Sequence, residues 1–518
     1  MVIARLRGQR KVTASEAGDR PGLHRDVSIL VPETDLAPEY LARFDLESLM
    51  SSEFLLLNEY HVVDFSRWHA DGASHLWNFN LHYFEYAIAL GAAHSRGDAR
   101  CYPRFKEFVE SWIDASPYAD GDAWHPYTIS LRLVNWLVCV DLFADSLDED
   151  ERFRQCIERS MRLQYRHLLA NQEKHLMANH YFENLKTLAI FSKLFDEDEA
   201  FARVWRDLEG QLDEQILPDG VHFERSLMYH KLVLEGIVRT ALVLEQSEGG
   251  VPLILLDKMQ SMLNAMASLE KGMGKTPFFN DSADGVAKEC RQLAAACERL
   301  FGLESDDSKT VFPDAGYFKL YDGDIAVMFD AGEPGPDYML GHAHCDCLSY
   351  ELSYRGSPVV VNSGTYAYQS ELRSYFRSTA AHNTVQVDGE EQMECWGEHR
   401  VARRYELDKA CCDAARGVAE ASIVLPSGKV QKRRIKLIDR ELEVLDSAIG
   451  GANVQLTSVI HILDSNLVGI SLEDVGEKSL TTGFYSSEFG VCGSIPKHVI
   501  SGNSCTCYSL HFAEEAGD

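Results

Sequence analysis

The feature that most constrains this chain is a change of hydrophobic period near Phe312. Before it, apolar residues recur every three to four positions through 75–98, 104–117, 127–145, 152–170, 176–196, 199–216, 229–246, 252–271 and 286–302. That spacing predicts helices with one buried face. Asp120-Gly121-Asp122, Pro218-Asp219-Gly220 and Gly249-Gly250 punctuate them, and short connections make successive helices antiparallel. No fixed-length repeat of the solenoid kind stands out, which favours a closed helical toroid over an open superhelix. After Phe312 the pattern alternates in steps of two. AGYFKLYDGDIAVMFDAG and QKRRIKLIDRELEVLDSAIG (431–450) read as antiparallel hairpins, the first with an Asp-Gly turn. The predicted organisation is an N-terminal arm and lead-in at 1–70, a helical domain at 71–305 and an antiparallel β domain at 312–518. The first 35 residues are polar and read as a loose arm. A helical domain followed by a β domain predicts a ligand cleft between the two.

The chain has 518 residues, enough for two or three domains with sizeable cores. Asp and Glu outnumber Lys and Arg by 80 to 50, so nucleic acid is not the expected partner. The thirteen cysteines are odd in number and scattered, without the spacing of a disulfide framework or a CxxC metal site. No apolar run is long enough to predict a membrane span. The opening MVIARLRGQRKVTASEAGDR lacks an apolar core of signal-peptide length, so a cytoplasmic location is expected.

The densest chemistry lies in GHAHCDCLSYELSYRGSPVVVNSGTYAYQSELRSYFRSTAAHNT, residues 341–384. His342, His344 and Asp346 are spaced two apart. In a strand they would share one face, with Cys345 and Cys347 on the other. Arg355-Gly356 reads as a turn and 358–361 as the returning strand. Two histidines and a third O or N donor, with His382 among them, can hold a divalent metal and leave His342 to exchange a proton. The alternative is a set of hydrogen-bonded histidines inside a sandwich.

In the helical half, HLMANHYFENLKTLAIF puts Asn179, His180 and Glu183 within one helical turn. An Asn-His pair opening a helix also reads as a cap. PDGVHFERSLMYHKLVLEG crowds His222, Glu224 and Arg225 beside Tyr229 and His230. Trp77, Asn78, Asn80 and His82, and Trp124, His125, Tyr127 and Arg132, can line a sugar groove or serve the core equally well. FFNDSADG (278–285) reads as a polar loop.

Taken together, WNFNLHYFEY, ISLRLVNWL, ANHYFENLKTL, DGVHFERSLMYH, GHAHCDCLSYELS, VVNSGTYAY and RSYFRSTAAHNTVQVDG resemble the heparinase II/III family of polysaccharide lyases. They fall in the family's order over roughly residues 75–390. The resemblance implies an incomplete α/α toroid followed by an antiparallel β-sandwich. It also implies β-elimination at a uronic acid within an anionic polysaccharide, of glycosaminoglycan or heparin type. By resemblance Asn179 and His180 bind the uronate carboxylate, with Glu183 assisting, and Tyr229 and His342 transfer protons. Arg225 or His230 would supply the positive charge that a tyrosine base needs. Arg225, Arg373, Arg377 and Lys174 are candidates for a basic patch toward the substrate, beside Trp77, Asn80, His82, Trp124 and Arg132.

Two departures stand out. His344 and His382 match metal ligands of the family, but Asn362 stands where the family has an aspartate. A neutral amide is a weaker ligand for a dication, so one structural zinc or manganese would be held by His344, Asn362 and His382 weakly, or hydrogen bonds alone would hold the site. The second departure is the missing export signal, which would direct the enzyme to imported or nascent chains. An alginate-type uronan is the nearest alternative substrate. A glycoside hydrolase would need two opposed carboxylates, for which Asp281, Asp284 and Glu224 are available. A non-catalytic polysaccharide-binding protein is the third reading.

Overall fold

A computed structural model describes residues 9–11, 22–24, 26–451, 453–472 and 476–512. It falls into two compact units, Met1–Glu214 with Val233–Met259 and Arg291–Glu304, and Gln215–Leu232 with Gln260–Cys290 and Ser305–Asp518. The helical half is the toroid and the remainder the antiparallel sandwich. No described helix is long and apolar enough to cross a membrane.

The helices follow the sequence period. In Glu151–Ala170 the buried residues Phe153, Ile157, Met161, Tyr165 and Leu168 recur at three to four positions, and the Asp150 carboxylate caps the first turn through the Phe153 N–H. Helix Pro126–Leu142 starts with Pro at its first position and His125 capping the Tyr127 N–H. Helix Ala178–Leu194 is buried on nearly every side, as its sparse charge allows.

The loose arm expected over the first 35 residues is corrected in part. Residues 1–8 and 12–21 lie outside the described residues. Ile29 and Val31, however, are buried, and the carboxylate of the fully buried Asp35 receives two bonds from Arg239. Apolar burial and a paired charge hold that segment down.

In the second unit a five-stranded sheet runs Val311–Phe312, Tyr317–Asp322, Ile325–Asp330, Tyr350–Tyr354 and Ser357–Val360, each strand pairing with the next. A six-stranded sheet holds Glu406–Asp413, Val418–Val424, Val430–Ile438, Glu441–Ile449, Cys505–Phe512 and Val468–Leu472 in that order. A four-stranded sheet holds Glu477–Tyr485, Gly493–Asn503, Gln455–His461 and Val385–Val387. All named pairings are antiparallel. Side chains from the three sheets, among them Phe329, Tyr350, Ile435, Val444 and Leu456, share one core. The hairpin at 430–449 turns through Asp439 and Arg440, both at positive φ, the geometry that suits the twist of paired strands.

The strand expected to begin at His342 begins instead at Tyr350. Residues 341–349 form no ladder because their N–H groups are taken elsewhere. His344 N donates to Asn280 Oδ1, Cys345 N to the Arg377 carbonyl and Cys347 N to Gln392 Oε1. Leu348 takes a left-handed φ of 62°. The segment is a buried loop, and His344, Cys345, Asp346 and Cys347 are all enclosed.

Candidate active site

Loop 278–285 in the second unit organises the site. Asn280 adopts a positive φ of 57°, which Asn tolerates better than most residues. Its backbone N–H binds Asp346 Oδ2, and its side chain bridges the Arg225 carbonyl to the His344 N–H. Asp281 follows, fully buried. Its Oδ2 accepts from His342 Nδ1 at 2.9 Å and its Oδ1 from His344 Nε2 at 2.9 Å. Arg373 grips both oxygens. Burial alone would raise the Asp281 carboxyl, but the Arg373 charge and the bonds from His342 and His344 hold it well below the usual range. An ionised carboxylate at Nδ1 fixes the imidazole and leaves Nε2 as its working atom. Gly364 lets the chain pass close by, since a Cβ there would sit 2.0 Å from the Ser486 carbonyl oxygen.

Tyr229 enters from helix Leu227–Glu245. Ser226 accepts the Tyr229 N–H and also donates to the Asp281 carbonyl, so one hydroxyl ties the helix start to the loop. The Tyr229 and His342 rings lie 4.3 Å apart. The Tyr229 and Tyr368 hydroxyls lie 2.7 Å apart, and the Arg373 guanidinium sits 5.2 Å from the Tyr368 ring centre. His399 packs against both His342 and Tyr368.

A second group lies beside it. His344, Asp346 and His382 each offer a donor atom within 4.8 Å of the others, and all three are buried. Burial pushes His344 down to about 4 and His382 well below its usual value, so both imidazoles are neutral, the form that binds metal. Among the described residues His344 Nδ1 and His382 Nε2 have no hydrogen-bond partner. Buried orphan nitrogens next to a carboxylate fit a divalent ion. Asn362 Oδ1 lies 3.3 Å from His382 Nδ1 and accepts the Ser349 hydroxyl, which puts it next to this group.

In the first unit, Asn179 and His180 open helix Ala178–Leu194, preceded by the positive φ values of Met177 and Ala178. His180 Nδ1 lies 3.1 Å from Glu173 Oε1, and its ring stacks on Tyr127 at 4.3 Å. Burial opposes ionisation of Glu173, but His180, His125 and the Asn184 amide hold its carboxyl below the usual range. Here too a buried carboxylate fixes a histidine through Nδ1. Glu183 is paired with Lys186 inside the helix layer.

Two family models cover most of the chain. Residues 34–306 match the heparinase II/III N-terminus and 306–483 the heparinase II/III-like C-terminal domain. This chain belongs to the heparinase II/III-like family. Solved structures agree on the fold. A crystal structure of heparinase III superposes with a TM-score of 0.71 at 15% identity, covering 96% of this chain and 87% of that one. A mutant of the heparan sulfate lyase HepC from Pedobacter heparinus gives 0.63 at 17% identity, covering 100% and 88%. A chondroitinase AC lyase gives 0.50 at 12% identity, covering 94% and 81%. No curated protein matched the sequence.

In this heparinase II/III-like chain several sequence candidates lie inside the fold. Trp77 is fully buried and donates to the Glu59 carbonyl. His82 accepts from Trp112, and burial pushes it down to about 3. Trp124 packs on Tyr118 and His167 and donates to the Ser116 carbonyl. Arg132 spends its donors on Gln164, His82 and Ala123 above the Trp112 ring. Asn80 bonds the Leu76 carbonyl within its own helix. Arg225 holds the carbonyls of Asp314 and Ala315, and Arg377 those of Ala343, Glu398 and Arg400. His230 is buried, pushed down to about 4 and therefore neutral. The guanidinium that faces the tyrosine pair is Arg373, assigned from sequence only to a general basic patch. Sequence reading named neither Glu173 nor Tyr368, and weighed Asp281 only as a hydrolase carboxylate. Tyr368 lay within the family-like stretch VVNSGTYAY, which was the signal available for it.

Proposed function

We propose that this protein is a polysaccharide lyase that cleaves uronic-acid-containing anionic chains by β-elimination, leaving 4,5-unsaturated uronate ends. Glycosaminoglycans of the heparin type are the preferred substrate class, with alginate-type uronans next. The observation that carries this reading is the packing of Tyr229 on a histidine anchored by an ionised carboxylate, within a family of such lyases.

The chemistry needs three acts. The uronate carboxylate must be neutralised so that charge can build on it as C5 loses its proton. Asn179 and His180 carry the amide and imidazole for that role, in the manner of oxyanion stabilisation. The C5–H bond breaks as a base takes the proton, the C4–C5 double bond forms, and the C4–O4 bond breaks as O4 accepts a proton. Tyr229 and His342 are the base and acid. Tyr229 needs nearby positive charge to ionise near neutral pH, and Arg373 stands closest to that role.

His344, Asp346 and His382 would hold a divalent ion, zinc or manganese by their donor types, with Asn362 beside His382. That ion would supply a fixed positive charge bracing the loop that presents His342. The hydrolase reading loses Asp281, whose oxygens are already occupied by an arginine and two histidines.

The test is a panel of uronic polysaccharides, including heparan sulfate, chondroitin and alginate, followed in the near ultraviolet. A lyase creates the absorbance of an unsaturated uronate. A hydrolase gives new reducing ends without it, and a binding protein gives neither.

A further inference from the structure

We propose that Tyr229 does not ionise alone: Tyr229 and Tyr368 form a hydroxyl pair that loses its first proton as a unit, so Tyr368 is the positioning residue that makes Tyr229 a usable base. This rests on the lyase reading for its consequence in rate, though not for its physical content. The two oxygens are 2.7 Å apart, a good O–H···O bond. Removing one proton from such a pair leaves a phenolate still held by the other hydroxyl, so the first loss is easier than from a lone tyrosine.

On balance the surroundings push the Tyr368 phenol up, burial most of all, so Tyr368 is the member of the pair that keeps its proton and donates to a Tyr229 phenolate. Arg373 feels both phenols, and its guanidinium lies 5.2 Å from the Tyr368 ring centre. Opposing it, burial and then the Asp281 charge push the Tyr368 phenol up, while the bond with Tyr229 and the Arg373 charge pull it down, with Glu224 adding to the upward side. Titratable neighbours also include His342, against Tyr229 and Tyr368, and His399, against Tyr368. Arg373 is itself held bidentate by Asp281, so its position is fixed before substrate arrives. The Tyr368 ring is wedged between Phe489 and His399, which sets where its hydroxyl points. After the C5 proton reaches Tyr229 the pair is neutral again, and His342 gives the departing O4 its proton.

The experiment uses the full chain labelled with [13Cζ]tyrosine. The Tyr229 resonance is assigned by its loss in Tyr229→Phe and titrated in wild type and in Tyr368→Phe, which removes one hydroxyl and keeps the ring. A donor to an ionised group is expected to lower the midpoint by about 1–2 pH units, so Tyr368→Phe should raise it by that much. The acid limb of kcat/KM should move up equally, with about a 10–100-fold loss at neutral pH, recovery at higher pH and little change in KM. An unmoved or lowered Tyr229 midpoint overturns the proposal. If wild type makes no unsaturated uronate on any polymer, the lyase reading falls while the titration still decides the pair. If Tyr368→Phe does not fold, wild type decides: a pair moves two tyrosine resonances in its first step, and a lone Tyr229 moves one.

Discussion

Asp281 Oδ2 lies 2.9 Å from Nδ1 of His342, and Asp281 has no exposed surface. The same carboxylate neutralises Arg373 and receives His344, so one side chain sets the orientation of three cationic or basic groups. Asp281→Asn keeps the shape but puts an N–H where only acceptors are wanted. Breaking a buried pair on one side costs about 3–5 kcal/mol, so the melting temperature should fall clearly. Turnover should drop by at least about 10²-fold, since the imidazole loses its fixed orientation. Calorimetry and rate assays on the variant check both. Unchanged melting and turnover would remove Asp281 from its anchoring role.

Asn179→Ala and His180→Ala should each lower turnover by about 10²–10³-fold, the loss typical of one donor to a developing oxyanion. His180→Ala should fold as wild type does, because the His180 side chain is 34% exposed at the helix start, and melting of Asn179→Ala checks the buried Asn179 position. Glu173→Gln should act through His180, weakening turnover less than His180→Ala does. Near-wild-type rates in the first two variants would take the pair out of the mechanism.

The helices and hairpins were legible because their signals are local. A three-to-four period such as Phe153, Ile157, Met161 and Leu168 needs no partner to be read, and neither does an Asp-Gly turn. The run from His342 to Cys347 misled for the opposite reason. Its alternation of polar and apolar residues imitates a strand, but its N–H groups are spent on Asn280, Arg377 and Gln392, which no local pattern announces. The partners of the catalytic candidates were hidden for the same cause. Asp281 lies 61 positions from His342 and 92 from Arg373, and Tyr368 lies 139 from Tyr229. Family-like motifs marked Tyr229, His342, Asn179 and His180. Neither period nor motif could say that Arg132 and Trp77 would spend their polar groups inside the fold.

Metal analysis of protein purified without chelator should find up to one divalent ion per chain. Asn362→Asp should strengthen retention, because a carboxylate 3.3 Å from His382 Nδ1 adds negative charge at the edge of the group. His382→Ala should abolish retention. Finding no ion in any variant, with melting indifferent to chelator, would leave His344, Asp346 and His382 as a packed polar cluster.

Tyr229→Phe separates proton transfer by Tyr229 from every other part of the site. The substitution removes one hydroxyl from a ring that is 6% exposed and packed on His342, so packing is kept and melting should change little. The measurement is the near-ultraviolet absorbance of unsaturated uronate, on every polysaccharide that wild type cleaves. Complete loss on all of them is expected for Tyr229→Phe, while His342→Ala spares some, because syn and anti eliminations present the C5 proton on different faces. A folded Tyr229→Phe enzyme that still generates the absorbance would contradict proton transfer by Tyr229.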